Sequence, residues 1–481
     1  MQPICCAPAS VAREYFFCTA GRGMERFVSE EVTRKASATE VEVMPGKVFF
    51  SAESDLCKLK KLKSAERLFL LLIKGPSLSL PKNKGKAISA LRKYLIEEDP
   101  QMWVDKLDLW NKLQEPLNRQ TNQCQNKAHK RKLERETTLY ESKSKQDQTA
   151  HDSNYQSNDQ KSNIVMNQPV IHIEDKNYAN DEKNTNKRDS NLETLPITFR
   201  VSCRCTGANG RIFTAQEVGK VIGLCLMKHF GWKSDLRMPL LEVFVHLNDN
   251  YTVVGLPIMR HPLASREYIQ RTGLRSTTAW AMTSLAEVSP GFIVLDPMCG
   301  VGTILLEAAQ EWPGVHFLGI DVNDSQLKSA VHNTKTAALT HSIEFLKGSI
   351  LGLPIRSEYV DVLISDIPFG KKFTASKCIK QLLPDILREM ERVVRVQGVI
   401  VLLLSQSLHH HLKANFRFKA VEDRHIAMAK GDSHPEKKNE CTTNKESMES
   451  KINSFESLIH VESHAVSLGV TEAVIFKCRK T

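Results

Sequence analysis

"LDPMCGVGT", Leu295–Thr303, is the stretch whose reading decides the fold of this chain. The apolar "FIV" before it marks a buried strand, and the helically spaced apolar residues of "TILLEAAQEW" follow it. A strand that turns through Gly300 and Gly302 into a helix lets backbone approach a ligand closely. The dinucleotide-binding fingerprint of nicotinamide enzymes needs a third glycine. Thr303–Glu307 stand there instead, which argues against a NAD-dependent dehydrogenase. Asp296 at the strand end would repel a pyrophosphate and suits a cationic or amine-bearing ligand. S-adenosylmethionine carries both a sulfonium and an α-ammonium. The pattern D-P-x-C-G-x-G-T therefore predicts that cofactor, held by Asp296, Pro297, Cys299, Gly300, Gly302 and Thr303.

Working outward, strands and helices alternate from Gly291 onward. The predicted strands are "FIVLDP", "VHFLGID", "IEFLKGS", "VDVLISDI" and "GVIVLLLSQS". The helices between them are "TILLEAAQEW", "DSQLKSAVHNTKTAA" and "KQLLPDILREMERVV". Continuous apolar strands with crossover helices predict a doubly wound parallel sheet of the α/β class. "LIHVESHAVS" and "TEAVIFKCRK" predict a closing antiparallel hairpin, with Leu468 and Gly469 near its turn. Asp321 ends the second strand, 19 residues beyond Gly302, where a carboxylate accepts hydrogen bonds from ribose hydroxyls.

"SDIPFG", Ser365–Gly370, ends the fourth strand, beside the first at the topological switch point. A planar aromatic amine is a poor nucleophile because its lone pair is delocalised. Asp366 and the carbonyl of Ile367, fixed by Pro368, can accept its two N–H bonds. Phe369 can stack on an extruded base, and Gly370 leaves room for backbone approach. Alignment and electrostatics then supply the acceleration. Asp366, Ile367, Pro368 and Phe369 are the predicted catalytic set.

The 481 residues predict more than one domain, and Lys plus Arg exceed Asp plus Glu, 66 to 55. The excess is concentrated. Leu56–Tyr94 holds eleven basic residues and one acidic, and Ile197–Gly291 holds eleven and six. That distribution predicts a polyanion-binding face. "REYFFCTA", "GMERFVSEEVTRKA" and "EVEVMPGKVFFSA" read as strand, helix, strand. A helix over Leu56–Leu68, a strand "RLFLLLIKG" and two amphipathic helices, "ISALRKYLIEE" and "QMWVDKLDLWNKL", follow. In Gln114–Thr194, 21 of 81 residues are Asn or Gln, so this segment is predicted to be a disordered insertion. "HKRK", His129–Lys132, within it reads as a nuclear import signal. A helix "TAQEVGKVIGLCLMKHFGW" and strands "LLEVFVHLND" and "YTVVGLPIM" come after it. Twelve scattered cysteines and the lone "HHH", His409–His411, lack metal-ligand spacing, so no metal is predicted. No apolar stretch reaches the length of a membrane span, and a soluble intracellular protein is expected.

"DPMCGVGT", "GIDVN" and "DIPFG", with "RTGLRSTTAWAM" upstream, resemble the THUMP-domain RNA guanine-N2 methyltransferases. The resemblance is closest over Ile197–Met428. It implies a class I S-adenosylmethionine-dependent methyltransferase domain over 266–481, with a polar insertion at 430–451. Before it would stand a ferredoxin-like unit over 1–80 and an RNA-binding THUMP domain over 81–265, carrying the insertion 114–194. The implied reaction is methyl transfer to N2 of guanosine in a structured RNA, a transfer RNA or a spliceosomal small nuclear RNA. The implied partner is a small zinc-containing activator subunit in a heterodimer, and the implied location is the nucleus or cytoplasm. The loop "KGSILGLPI" departs from the family pattern, because Ser349 stands where an aspartate commonly accepts the adenine amino group. Leu274–Trp280 lie where the family packs over the cofactor, and Arg275 is alternatively a contact for RNA phosphate. A non-catalytic RNA-binding protein that keeps the fold is the second reading. Ser349 is the residue that speaks for it; Asp296, Asp321 and Asp366 speak for turnover.

Overall fold

The computed structural model describes residues 13–114, 197–368, 376–419 and 453–481. The insertion 114–194, apart from Gln114, lies outside the described residues, as do His129–Lys132 and the polar stretch 430–451. Two eight-stranded sheets organise the rest.

The first sheet is built from β1 (Arg13–Thr19), β2 (Thr39–Met44), β3 (Lys47–Glu53), β4 (Arg67–Pro76), β5 (Thr198–Cys205), β6 (Lys233–Ser234), β7 (Leu241–Leu247) and β8 (Tyr251–Pro257). Its order is β2-β3-β1-β4-β8-β7-β5-β6. Helices α1 (Glu25–Ala36), α2 (Leu56–Leu59), α3 (Lys84–Arg92), α4 (residues 100–114), α5 (Gly207–Ile212) and α6 (Ala215–Phe230) accompany these strands. Phe16, Cys18, Phe50, Leu68 and Leu70 belong to the same core as Val28 and Val32 of α1 and Val218 and Ile222 of α6. The alternate residues Phe17, Phe49 and Phe69 form a second, smaller core with Tyr251 and Val253. Period-two alternation sends neighbouring residues to opposite faces, so this sheet is apolar on both. Strand β4 pairs with β8, and one core spans both halves. The boundary expected at residue 80 therefore divides chain segments that share a sheet.

Two local readings need correction. "EVEVMPGKVFFSA" is a hairpin rather than one strand: β2 and β3 pair antiparallel, and Met44 opposes Lys47 across Pro45-Gly46. The helix expected over Leu56–Leu68 is one turn, α2, because β4 has begun by Arg67 and draws Leu68 into the sheet opposite Cys18. Pairing with a formed strand overrides the helical spacing of the lysine-rich segment.

The second sheet contains β9 (Ile293–Asp296), β10 (His316–Asp321), β11 (Ile343–Lys347), β12 (Val360–Asp366), β13 (Val394–Ser405), β14 (Phe416–Lys419), β15 (Asn453–Leu468) and β16 (Thr471–Lys480), in the order β11-β10-β9-β12-β13-β16-β15-β14. Strands β9 to β13 are parallel; β16 joins β13 antiparallel, and β15 joins β16 antiparallel. Leu468 opposes Thr471 at the predicted hairpin turn. Helices α7 (Ser276–Leu285), α8 (Thr303–Glu311), α9 (Asp324–Thr336), α10 (Ser376–Val393) and α11 (Gln406–Asn415) accompany this sheet, with the expected α/β alternation from β9 onward. The chain order reverses between β9 and β12, which leaves a crevice at their carboxyl ends.

The two units meet over α1 and α8. Met24 and Phe27 are buried in the core of the second unit with Val466 and Trp280. Arg266, in the connection, reaches Glu307 of α8, and Lys35 of α1 reaches Glu311 at 2.7 Å.

Candidate functional site

Three aspartates gather at the crevice. Asp296 ends β9, Asp321 ends the neighbouring β10, and Asp366 ends β12 on the other side. Parallel register puts the carboxyl ends of adjacent strands at one rim, which is why residues 70 positions apart in sequence converge. Asp296 is 1% exposed. Its Oδ1 accepts from the Met298 N–H at 3.1 Å and from Ser365 Oγ at 3.0 Å. Burial pushes its carboxyl up to about 7, and the neighbouring Asp366 and Asp321 add to the rise. Asp366 is also pushed up to about 7, by burial. Its Oδ1 is buried with no hydrogen-bond partner among the described residues.

Asp321 shapes the turn. Its Oδ2 accepts from the Gly300 N–H at 2.9 Å and its Oδ1 from the Asn323 N–H at 2.8 Å. Each oxygen keeps a lone pair, so the carboxylate can still accept from a diol. Gly302 caps α8 at φ 82° and Gly300 sits at φ 53°, backbone that side chains rarely adopt. A Cβ at Gly300 would have only Gln326 Oε1 within 4 Å, at 3.9 Å, so space lies open beside that backbone. Pro297 and Cys299 are buried, and desolvation holds the Cys299 thiol above its usual range. Thr303, 2% exposed, has a buried hydroxyl without a partner among the described residues. These features fit an amine-bearing cofactor: a carboxylate in a buried setting, an orphan hydroxyl and open backbone at the glycine turn.

The remaining predicted residues fall as follows. Ile367 is fully buried, and its N–H donates to the Leu403 carbonyl at 3.1 Å; Pro368 is half-buried. Phe369 and Gly370 lie outside the described residues. Ser349 is exposed, and its Oγ accepts from the Leu351 N–H at 3.2 Å within a short turn to Gly352. Arg275 pairs with Glu66 at 3.2 Å while its side chain stays half exposed. His409–His411 lie in α11, and no cluster of metal-ligating side chains occurs among the described residues.

Asn333 was not singled out from the sequence. It lies fully buried on α9 and joins three segments. Its Oδ1 accepts from the Gln270 and Arg271 N–H groups, and its Nδ2 donates to the carbonyls of Arg271 and Val301. The connection between the units is thereby clamped onto the glycine turn. Its signal in the sequence was a polar residue on the buried face of α9, beside Ala330 and Thr334.

A family model described as an RMKL-like methyltransferase domain matches residues 264–434. The human U6 snRNA (guanine-N(2))-methyltransferase THUMPD2 is 46% identical over 97% of this chain and 96% of its own length. The human tRNA (guanine(6)-N(2))-methyltransferase THUMP3 is 28% identical over 82% of this chain and 81% of its own. TrmN from Thermus thermophilus superposes with a TM-score of 0.61 at 19% identity, covering 98% of this chain and all of that one. That likeness places the second sheet in the class I methyltransferase fold. No helix among the described residues is long and apolar enough to cross a membrane. The coverage and identity together establish that this chain belongs to the THUMP-domain guanine-N2 methyltransferase family.

Proposed function

We propose that this chain transfers a methyl group from S-adenosylmethionine to the exocyclic N2 of a guanosine in a structured small RNA. The observation that carries the reading is the buried Asp366 Oδ1, an acceptor without a donor at the rim where Asp296 and Asp321 converge. The human relative at 46% identity is named as acting on U6 snRNA and the one at 28% on transfer RNA, which makes a spliceosomal RNA the first candidate and a transfer RNA the second. A nuclear location goes with the first.

S-adenosylmethionine, when bound, supplies an electrophilic methyl on sulfur. Asp296 receives an ammonium, Asp321 a ribose diol, and Ser349 an exocyclic amino group, for which its Oγ retains acceptor capacity. Asp366 Oδ1 and the Ile367 carbonyl accept the two N–H bonds of the guanine amine and hold its nitrogen in line. Proline at 368 fixes the preceding carbonyl, and Phe369 stacks on the base. As the N–C bond forms, the nitrogen becomes acidic, and the Asp366 carboxylate is placed to receive the released proton. These donors and acceptors are fixed before the reaction, so little reorganisation accompanies it.

The activator subunit implied by the family resemblance is the proposed partner. Tyr359, Val396 and Val461 are exposed apolar side chains on or beside strands of the second sheet, the kind of surface such a subunit would cover. The test is nucleoside mass spectrometry of small RNA from cells with and without the protein, followed by mapping of the lost mark. An unchanged level of N2-methylguanosine in every small RNA refutes the reading.

A further inference from the structure

The first sheet curls so far that residues on distant strands touch. Lys47 opens β3 and His246 lies on β7, with β1, β4 and β8 between them in the sheet. A flat sheet would hold those strands about 19 Å apart, at roughly 4.8 Å per strand. Instead Lys47 Nζ meets His246 Nδ1 at 2.6 Å and the Tyr251 hydroxyl at 2.9 Å. Strand twist brings β3 and β7 toward each other over the aromatic floor of Phe17, Phe49, Phe69 and Phe244.

The cations of this trough are not treated alike. Arg67 and Arg200 both bond Glu242, at 3.0 Å each, and Lys74 bonds Glu42. Lys47 and Arg204 have no carboxylate partner among the described residues. Arg204 stands directly beside His246 in the β5–β7 ladder, so the two project from the same face. Lys47 is 4% exposed, and His246 is 7% exposed. A protonated amine donating to Nδ1 leaves the imidazole proton on Nε2, which has no partner among the described residues. One N–H of Lys47, the Nε2–H of His246 and the guanidinium of the exposed Arg204 therefore have no acceptor among the described residues and stand open to a ligand from solvent. A buried ammonium without a counter-charge is costly, and an anion reached from the solvent side by Arg204 would offset that cost.

We propose that Lys47, Arg204 and His246 form an anion site that receives a phosphate of the RNA chain. The proposal rests on the RNA reading above and adds the place on the first unit where the backbone is gripped. Desolvation, then Arg204, pulls the Lys47 amine down to about 8. Desolvation and the two cations hold His246 down to about 3. A bound anion relieves the repulsion in both. Tyr251, whose ring lies 5.0 Å from Lys47 Nζ, holds the ammonium in place.

The test is fluorescence anisotropy of the full-length chain with a labelled RNA stem-loop carrying a single-stranded tail, across a salt series. The variants are Arg204→Gln, His246→Gln and Lys47→Met, with Lys335→Gln on α9 as a charge-loss control. Circular dichroism and thermal melting establish that each is folded. Arg204→Gln is expected to weaken binding about tenfold, the worth of one charge-assisted hydrogen bond. It should also lower the salt slope by about one phosphate contact. His246→Gln should weaken binding less, and Lys335→Gln should leave affinity and slope near wild type. If folded Arg204→Gln and His246→Gln keep both, the site is overturned, even where Lys47→Met loses binding, because Lys47 is then a structural plug. If the wild-type chain shows no salt-sensitive binding at all, the RNA reading falls and this site falls with it.

Discussion

Arg266 Nε and Glu307 Oε1 lie 3.0 Å apart with side chains 4% and 0% exposed, and this ion pair joins the connection between the units to α8, the helix that follows the glycine turn. The Tyr268 hydroxyl donates to the same carboxylate at 2.9 Å, and Arg266 also donates to the carbonyls of Lys63 and Leu263. Removing one partner of a buried pair strands the other charge, which costs about 3–5 kcal/mol. Glu307→Ala should therefore lower unfolding free energy by about that amount. Chemical denaturation followed by intrinsic fluorescence measures it, and a loss below about 1 kcal/mol would place the pair among weak surface bridges.

Asp366→Asn retains the shape of the side chain and turns one acceptor into a donor aimed at the amine. An opposed buried hydrogen bond costs about 1–3 kcal/mol, roughly a 10- to 100-fold loss of rate. Single-turnover methyl transfer with saturating cofactor and RNA should show it, while cofactor affinity stays near wild type. Near wild-type turnover would reduce "SDIPFG" to an ordinary strand end.

Asn333→Leu should act on the cofactor rather than on RNA. The substitution strands the N–H groups of Gln270 and Arg271 and the carbonyls of Arg271 and Val301. The glycine turn then loses its outer tie, and calorimetry should find S-adenosylmethionine binding weakened about tenfold or more, on the scale of one unmade buried hydrogen bond. RNA affinity should change little. Equal loss of both would point to general unfolding.

The cofactor's effect on stability should depend on pH. Asp296 and Asp366, whose ordinary value is 3.8, are pushed up to about 7 in the folded chain. Between those values the folded state holds more protons than the unfolded state. The stability these groups contribute at acid pH is thus lost as pH rises through about 7. An ammonium beside Asp296 favours its ionised carboxylate, so the thermal shift produced by S-adenosylmethionine should be larger at about pH 8 than at about pH 6. A shift that is equal, or larger at the lower pH, contradicts the placement of the ammonium at this rim. Asp296→Ala should remove most of the difference.

Much of the catalytic unit was legible in the residues. Buried parallel strands carry continuous apolar runs, and their ends carry the polar groups, so "IVLDP", "LGID" and "LISDI" declared both the sheet and its rim. The glycine turn after Asp296 was equally local, because glycine adopts positive φ without the steric cost other residues meet. The first unit was harder to read. Its helical lysine spacing at Leu56–Leu68 yielded to strand pairing, and its hairpin at Pro45-Gly46 was taken for one strand. Contacts between distant segments were illegible altogether. Nothing in the sequence ties Asn333 to Gln270, Glu307 to Arg266, or Lys47 to His246, 199 residues away. Sequence determined which residues end strands and which turns admit a ligand, since those follow from local sterics and periodicity. Only tertiary structure decided which buried polar groups find partners and which remain open, because that depends on sheet twist and on the docking of two units against each other.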